Sequence, residues 1–387
     1  MPDVIVIGAG VVGAATAYRL ACAGARVTLL DRGQPGQGTS ATSFAWVNAN
    51  DKPPLSYHRL NAESMAAHRR LRDDVHAHAG DSTQHDGGRT GGEAHADWLH
   101  ESGGLEWTDA AGRDRLLAKA ERLRAWGYRV EVLDAAQVHA LEPHLNLDGL
   151  AAATFCADEA WVDGPRLAER VCAAATRRGA VVRASAEVAG IERAGERVVG
   201  VRLANGECLA AQWVVIAAGR WTDRVAALAG VEVPLAPTCG LLAVTAPVTQ
   251  GVGRVIHVPG MNFRPEPAGG LLLQSGATDA TVTPETAPDP SLPGCTELQR
   301  RIGRFLPPAG GVPIVAARVG VRPMPADGFS IAGPVAERPG LYLTVTHSGI
   351  TLAPLLGELV ALEITTGRQD ERLADFRRAR CVHLTGT

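Results

Sequence analysis

Three glycines near the start of the chain are spaced as in turns that bind phosphate. Gly8, Gly10 and Gly13 directly follow a short run of β-branched residues, and Asp31 follows a second such run. These glycines allow a tight turn, close approach of a diphosphate and close packing of the next helix, whose positive N-terminus faces the phosphate. Asp31 lies where an acidic side chain accepts hydrogen bonds from the ribose hydroxyls of a dinucleotide. The pattern predicts a dinucleotide site.

A second apolar strand also runs into a glycine. The apolar residues 213–218 are followed by Gly219, then by Trp221 and a predicted helix that begins at Thr222. A hairpin with its turn at Asn205-Gly206 precedes the strand. This segment resembles the element of two-dinucleotide-binding-domain flavoproteins in which the strand end passes the cofactor. It therefore favours FAD over NAD.

A third segment carries the most specific resemblance. Residues 320–323 and 346–354 resemble the flavin-contacting C-terminal region of the D-amino-acid oxidase superfamily, nearest to its glycine oxidase and monomeric sarcosine oxidase branch. Residues 38–46 and 163–167 resemble further segments of that family. Because these similarities follow one another along the whole chain, they imply an FAD-dependent oxidoreductase.

The resemblance implies oxidation of a C–N bond in an amino acid or secondary amine, with hydride transfer to the flavin and hydrolysis of the imine. The acceptor that reoxidises the flavin is oxygen or another compound. In the resembling monomeric sarcosine oxidase, a cysteine just before the C-terminal region attaches the flavin. This chain has Gly320 there and no cysteine between positions 296 and 380, so the comparison implies noncovalent FAD. Two alternatives stay open: oxidation of a C–O bond, as in a 2-hydroxy acid, and a flavin-binding subunit without turnover.

Several side chains are candidates for substrate contact. Arg322 is expected to bind the substrate carboxylate, because a guanidinium fork matches a carboxylate bidentately. Trp46 and Asn48 follow the flavin-threading segment and are expected to face the substrate. His257 and His347 are candidate bases, needed above all if the substrate is an alcohol. The expected cofactor contacts are Gly8, Gly10, Val11, Val12, Gly13, Asp31, Arg32, Thr39, Ser40, Ser43, Phe44, Ala45, Trp46, Val188, Ala218, Gly219, Trp221, Arg322, Ser348, Gly349, Ile350 and Thr351.

These positions require a discontinuous architecture. We predict a mixed α/β (α+β) protein in which residues 1–80, 145–233 and 319–387 form a Rossmann-type FAD-binding domain. Residues 81–144 and 234–318 form a second substrate domain on a mostly antiparallel sheet. Its expected strands over the ring include the pair 255–258 and 271–274. The glycine-rich run 87–92 is expected to be a loop.

Composition excludes other classes. The chain has 387 residues, a net charge of −3 and no basic stripe, so nucleic acid is not an expected partner. It has no uninterrupted run of the ~18–20 apolar residues that a membrane span requires. Seven scattered cysteines suggest a reducing, cytoplasmic location. No metal site is expected, since His76 and His78 would point to different faces of a helix.

Overall fold

A computed structural model describes residues 1–77 and 97–383. The expected loop at 87–92 lies outside the described residues. The described helices are α1 (Val11–Cys22), α2 (Leu55–Ala77), α3 (Arg113–Ala125), α4 (Ala135–Leu141), α5 (Gly164–Arg177), α6 (Thr222–Ala227), α7 (Gly276–Asp279), α8 (Pro293–Phe305) and α9 (Gly349–Thr366).

The described strands form two large and two small sheets. The strands are β1 (Asp3–Ile7), β2 (Arg26–Leu30), β3 (Trp46–Val47), β4 (Leu99–His100), β5 (Gly104–Thr108), β6 (Glu131–Leu133), β7 (Ala152–Cys156), β8 (Ala160–Val162), β9 (Val181–Arg183), β10 (Val188–Ala194), β11 (Arg197–Leu203), β12 (Cys208–Ala210), β13 (Trp213–Ile216), β14 (Thr238–Thr245), β15 (Val255–Val258), β16 (Met261–Pro265), β17 (Leu271–Gln274), β18 (Ile314–Arg322), β19 (Ile331–Pro334) and β20 (Leu341–Val345).

The first large sheet has the Rossmann-type arrangement. Its strand order is β19-β20-β13-β1-β2-β9, and every pair is parallel except β19 with β20. Strand β1 is apolar and almost fully buried, as a strand covered on both faces must be. The predicted strands of the first two glycine motifs, β1 and β13, are direct neighbours here. Parts of the chain far apart in sequence therefore build one sheet.

Helices α1 and α9 pack tightly against each other. A Cβ on Gly357 of α9 would lie 2.8 Å from the backbone of Ala15 in α1. Helix α9 is long and apolar enough to cross a membrane by length and composition, but 72% of it is buried inside the protein. Its apolar character is thus accounted for by packing in the core.

The second large sheet is mostly antiparallel, in the order β18-β14-β17-β16-β15-β5-β7-β6. The predicted pairing of β15 with β17 is wrong, because β16 follows the turn at Pro259-Gly260 and pairs with both. Strand β7 lies in the segment predicted for FAD binding, yet it hydrogen-bonds to β5 in this sheet. One face of the sheet packs on α8 through apolar side chains such as Leu298 and Ile302.

Candidate functional site

A cleft of about 530 Å³ opens at the carboxyl ends of the parallel strands, where doubly wound sheets bind their ligands. It extends from Asp31 and Val188 to His347 and Ile350. The predicted cofactor residues that line it are Gly8, Gly10, Val11, Val12, Asp31, Arg32, Thr39, Ser40, Ser43, Val188, Ala218, Gly219, Trp221, Gly349 and Ile350.

The glycine turn has the geometry that its spacing predicts. Gly8 has a φ of +104°, and a Cβ there would lie 2.5 Å from the carbonyl oxygen of Ala217. Gly13 does not line the cleft; a Cβ on it would lie 1.7 Å from the carbonyl oxygen of Gly8. Gly13 therefore acts on the site indirectly, by letting α1 begin against the end of β1.

Asp31 and Ser40 organise the backbone around this turn. The Asp31 carboxylate accepts hydrogen bonds from the backbone N–H groups of Ala9 and Gly33, each at 2.7 Å. The Ser40 hydroxyl accepts from the N–H of Val11 at 3.2 Å. Both side chains still line the cleft, so they join its wall to the start of α1.

Four other predicted cofactor residues do not line the cleft. The Phe44 carbonyl accepts from Arg264 Nε at 2.7 Å, and Ala45 is buried with a left-handed φ of 58°. Thr351 donates to the carbonyl of Trp46 at 3.2 Å, which ties α9 to that segment. Ser348 is buried just before α9.

Polar groups gather at the start of α9. The Ser348 hydroxyl contacts the Lys52 ammonium and the Tyr57 hydroxyl, each at 2.8 Å. Desolvation lowers the pKa of Lys52 to about 8, although the negative charge of Glu159 acts to raise it. The neighbouring His347 lines the cleft, and desolvation together with the charges of Lys52 and Arg322 lowers its pKa. This end of the cleft is therefore electropositive.

Arg322 ends β18 directly before Pro323, which lines the cleft. Its Nη2 donates to Asp279 at 2.6 Å and its Nη1 to the carbonyl of Cys239 at 2.8 Å. The side chain retains 31% exposure. The guanidinium is thus fixed in orientation beside the cleft while part of it stays accessible.

A row of polar side chains crosses the face of the second sheet that α8 leaves uncovered. His257, Asn262 and Gln274 are cross-strand partners on β15, β16 and β17, so they share one face. Hydrogen bonds of 2.6 Å join His257 to Asn262 and Asn262 to Gln274, and one of 2.7 Å joins Gln274 to Asp279. The row continues to Arg322 through Asp279.

Trp46 lies at one end of this row. Its ring contacts that of His257 at a centroid distance of 4.1 Å, and its Nε1 donates to Glu159 at 2.9 Å. Trp46 and His257 line a second cavity of about 260 Å³ together with Glu106 and Lys119, which form a salt bridge. The structure therefore places these two predicted residues in the same cavity.

Asn48 is different. It is buried and lines neither of these two cavities, and its side chain accepts from the backbone N–H of Asn50 at 3.1 Å. The prediction that Asn48 faces the substrate is therefore corrected: the side chain shapes its own loop.

Sequence reasoning did not single out Lys52, Glu159, Gln274 or Asp279. Each reaches the site through tertiary contacts and stands in no recognisable motif. For Gln274 one signal was present, since it ends the apolar strand 271–274, which was predicted to lie in the same sheet as His257. The other three carry no such signal.

The cleft fits an FAD molecule. Gly219 has open space where a Cβ would stand, and the 12-residue helix α1 begins at the wall with its positive end toward the cleft. None of the seven cysteines lines the cleft. The glycines and the N-terminus of α1 thus suit a bound dinucleotide.

Comparisons with known proteins agree with this geometry. The model of the FAD-dependent oxidoreductase family DAO matches residues 3–362. The chain is 28% identical to glycine oxidase from Geobacillus kaustophilus over 99% of this chain and 98% of that protein. It is 29% identical to glycine oxidase from Pseudomonas aeruginosa over 95% of each. The solved structure of the Geobacillus kaustophilus enzyme superposes with a TM-score of 0.83 at 25% identity, covering 97% of this chain and 98% of that chain.

These similarities cover nearly the whole length of this chain and of each protein compared with it. They support an enzyme that uses FAD to oxidise a C–N bond in an amine or amino acid. They do not favour the two alternatives. The mixed α/β fold with its Rossmann-type sheet belongs to the same group of structures. The chain is a member of the DAO family of FAD-dependent oxidoreductases.

Proposed function

We propose that this protein oxidises the C–N bond of a small amino acid or of a secondary amine bearing a carboxylate. The observation that carries the proposal is the position of Arg322. Its guanidinium is held in a fixed orientation and is partly exposed, and the next residue, Pro323, lines the dinucleotide cleft. The related glycine oxidases support an amino acid substrate.

Arg322 would bind the substrate carboxylate. Asp279 and the Cys239 carbonyl hold its two terminal nitrogens, so the orientation of the fork is set before substrate arrives. A preoriented charge-assisted contact of this kind fixes the position of the neighbouring carbon. Substrates without a carboxylate would therefore bind poorly.

The cleft would hold FAD noncovalently, since no cysteine lines it. When bound, FAD would supply the acceptor for the hydride that leaves the substrate carbon with both electrons of the C–H bond. The N-terminus of α9 and the Lys52 ammonium concentrate positive charge at the His347 end of the cleft. Trp46 and His257 would bound the substrate on the side of the second sheet.

The remaining assignments follow from this function. We propose oxygen or another small acceptor as the second substrate, and neither nucleic acid nor a membrane as a partner. The free cysteines support a cytoplasmic location. The segments 1–80, 145–233 and 319–387 would form the FAD-binding domain, and 81–144 and 234–318 the substrate domain, except that β7 and residues 319–322 of β18 belong to the substrate sheet.

An anaerobic flavin-reduction screen tests the proposal directly. The purified protein is mixed with amino acids, N-methyl amino acids and 2-hydroxy acids, and bleaching of the flavin absorbance is followed. We expect bleaching by an amino compound with release of ammonia or an amine. Bleaching by hydroxy acids alone, or by no compound of the panel, would contradict the proposal.

A further inference from the structure

The second cavity is separate from the dinucleotide cleft. Its volume of about 260 Å³ is far larger than the ~30 Å³ that one water takes up in the liquid, so it has room for a small organic molecule. Within residues 1–77 and 97–383, the residues that line this cavity and those that line the cleft are two different sets. A ligand in the second cavity therefore leaves the space for FAD free.

The walls of the second cavity contain hydrogen-bond donors that the protein leaves unused. Trp107 is 3% exposed, and its Nε1–H has no acceptor in the part of the chain that the structure describes. An indole N–H can only donate, and a Lys119 ammonium has three hydrogens, one of which bonds to Glu106. A buried donor without a partner is unfavourable. Both groups therefore favour a ligand that brings an acceptor.

The charges around the second cavity favour an anionic acceptor. The two acidic residues that line it are already paired, Glu106 with Lys119 and Asp51 with Arg122. Arg115 also lines the cavity, is exposed, and forms no ion pair within residues 1–77 and 97–383. Because Arg115 and Lys119 are four residues apart on α3, they lie on the same face of that helix. A carboxylate matches such a pair of cations.

His257 contributes an acceptor to the same cavity. The Asp279 carboxylate accepts from the NH₂ group of Gln274, whose carbonyl oxygen therefore faces Asn262. Asn262 then donates its own NH₂ group, and its carbonyl oxygen accepts from His257 Nδ1 at 2.6 Å. In the neutral imidazole this leaves a lone pair on Nε2, which has no partner among the described residues.

This lone pair is present at neutral pH. Burial lowers the pKa of His257, with Glu106 acting to raise it and Lys119 acting to lower it. A second acceptor lines the cavity, because Asn50 is 8% exposed and its amide oxygen has no partner in the described parts of the chain. Acceptors and donors at one cavity match a ligand that has a carboxylate and an N–H or O–H group.

We propose that the second cavity binds a small α-amino or α-hydroxy carboxylate, at a site separate from the carboxylate contact of Arg322. The carboxylate of this ligand is bound by Arg115, Lys119 and the Trp107 N–H. Its amino or hydroxyl group donates to His257 Nε2. The ligand is bound without being oxidised, because the cavity shares no wall with the cleft that would hold the flavin. The inference is independent of the proposed reaction.

The test measures binding to the FAD-loaded protein by isothermal titration calorimetry. The probes are 2-aminoisobutyrate and 2-hydroxyisobutyrate, which have no hydrogen on the α-carbon and therefore cannot transfer a hydride to the flavin. The titrations are made in the Arg322→Gln variant, which removes the guanidinium of the other carboxylate contact. We expect one molecule per chain to bind, and the tighter probe identifies the amino or the hydroxyl group as the donor. Isobutyrate, which has neither group, should bind at least tenfold more weakly.

Two further substitutions in this background locate the bound molecule. Trp107→Phe removes the N–H but keeps an aromatic ring, and Arg115→Gln removes the unpaired charge; each should weaken binding at least tenfold. Trp98→Phe is the matched control for the first, because Trp98 Nε1 is also buried without a partner in the described residues but lines neither cavity. Arg113→Gln is the control for the second, since Arg113 is on the same helix and has its own ion pair. Both controls should keep the Kd.

Three results would overturn the inference: no binding of either probe in Arg322→Gln, an unchanged Kd in Arg115→Gln, or equal binding of isobutyrate and the better probe. Arg115 is exposed, so this variant tests the site even if Trp107→Phe does not fold. Failure of the proposed function has a different signature, the absence of flavin reduction by every amine. That result would leave the binding measurement unaffected.

Discussion

At the scale of single residues, Glu159 links the stability of the protein to pH. Burial raises the pKa of Glu159 to about 7, although the hydrogen bonds from Tyr128 and Trp46 act in the opposite direction. The neutral carboxyl is therefore favoured in the folded state. The stabilisation it gives is complete below about pH 4.5 and is lost as pH rises through about 7.

This effect predicts a measurable change in Glu159→Gln. The raised pKa corresponds to a loss of up to about 3 kcal/mol in the free energy of unfolding between pH 4.5 and 8. The amide cannot ionise, so the variant should show a flatter pH dependence. Chemical denaturation at several pH values measures this, with the exposed Glu131→Gln as a control. Parallel curves for wild type and Glu159→Gln would refute the assignment.

Arg322 gives the second prediction at this scale. Arg322→Lys keeps a positive charge beside Asp279 but loses the planar fork, so kcat/KM for an amino acid should fall about 100-fold. Arg318→Lys is a suitable control, because Arg318 is on the same strand and pairs with Glu266 instead. Steady-state kinetics compare the two. A reduction of equal size in both variants would show a general effect on the strand.

At the scale of elements, the start of α1 depends on the absence of a side chain at Gly13. A Cβ there would meet the Gly8 carbonyl oxygen at 1.7 Å, so Gly13→Ala must displace the helix from the strand. We expect a loss of about 1–3 kcal/mol in stability and at least tenfold weaker FAD binding, because the helix end moves away from the cleft.

FAD titration followed by flavin fluorescence and thermal unfolding measures both effects. Gly276→Ala is the control, since Gly276 stands at the start of α7 with open space where a Cβ would be. Unchanged FAD affinity in Gly13→Ala would show that α1 tolerates the displacement without affecting the cleft.

At the scale of the whole molecule, the cleft joins parts of the chain that are far apart in sequence. Its walls come from β1, the loop after β2, the residues around Val188, the end of β13 and the start of α9. A ligand held by all of them binds the folded state alone. FAD at about 100 times its Kd should therefore raise the free energy of unfolding by about 2.7 kcal/mol.

Chemical denaturation of the apoprotein with and without FAD measures this gain. Because the cleft needs all of these segments at once, unfolding with FAD should remain a single transition for the sheet around it. Equal stability in both conditions would mean that FAD does not bind the folded chain.

Local sequence by itself determined the parts of this protein that short-range geometry dictates. The glycine spacing of residues 8–13, the apolar strands β1 and β13 and the glycine that follows β13 are set by backbone sterics and by burial on both faces of a sheet. They were enough to predict a dinucleotide site. The family resemblance added the choice of FAD, the segment 38–46, Arg322 and the segment 346–354, and fifteen of the predicted cofactor residues line the cleft.

Only the tertiary structure decided which polar side chains meet. The pairing of β16 between β15 and β17 brings Asn262 into register with Gln274, and the short helix α7 carries Asp279 to Arg322. Such contacts depend on strand register and on loops that join distant segments, for which residue types leave no periodic signal. The same reason explains why the prediction for Asn48 was wrong. Its position next to a motif suggested a contact with the substrate, but its side chain hydrogen-bonds within its own loop.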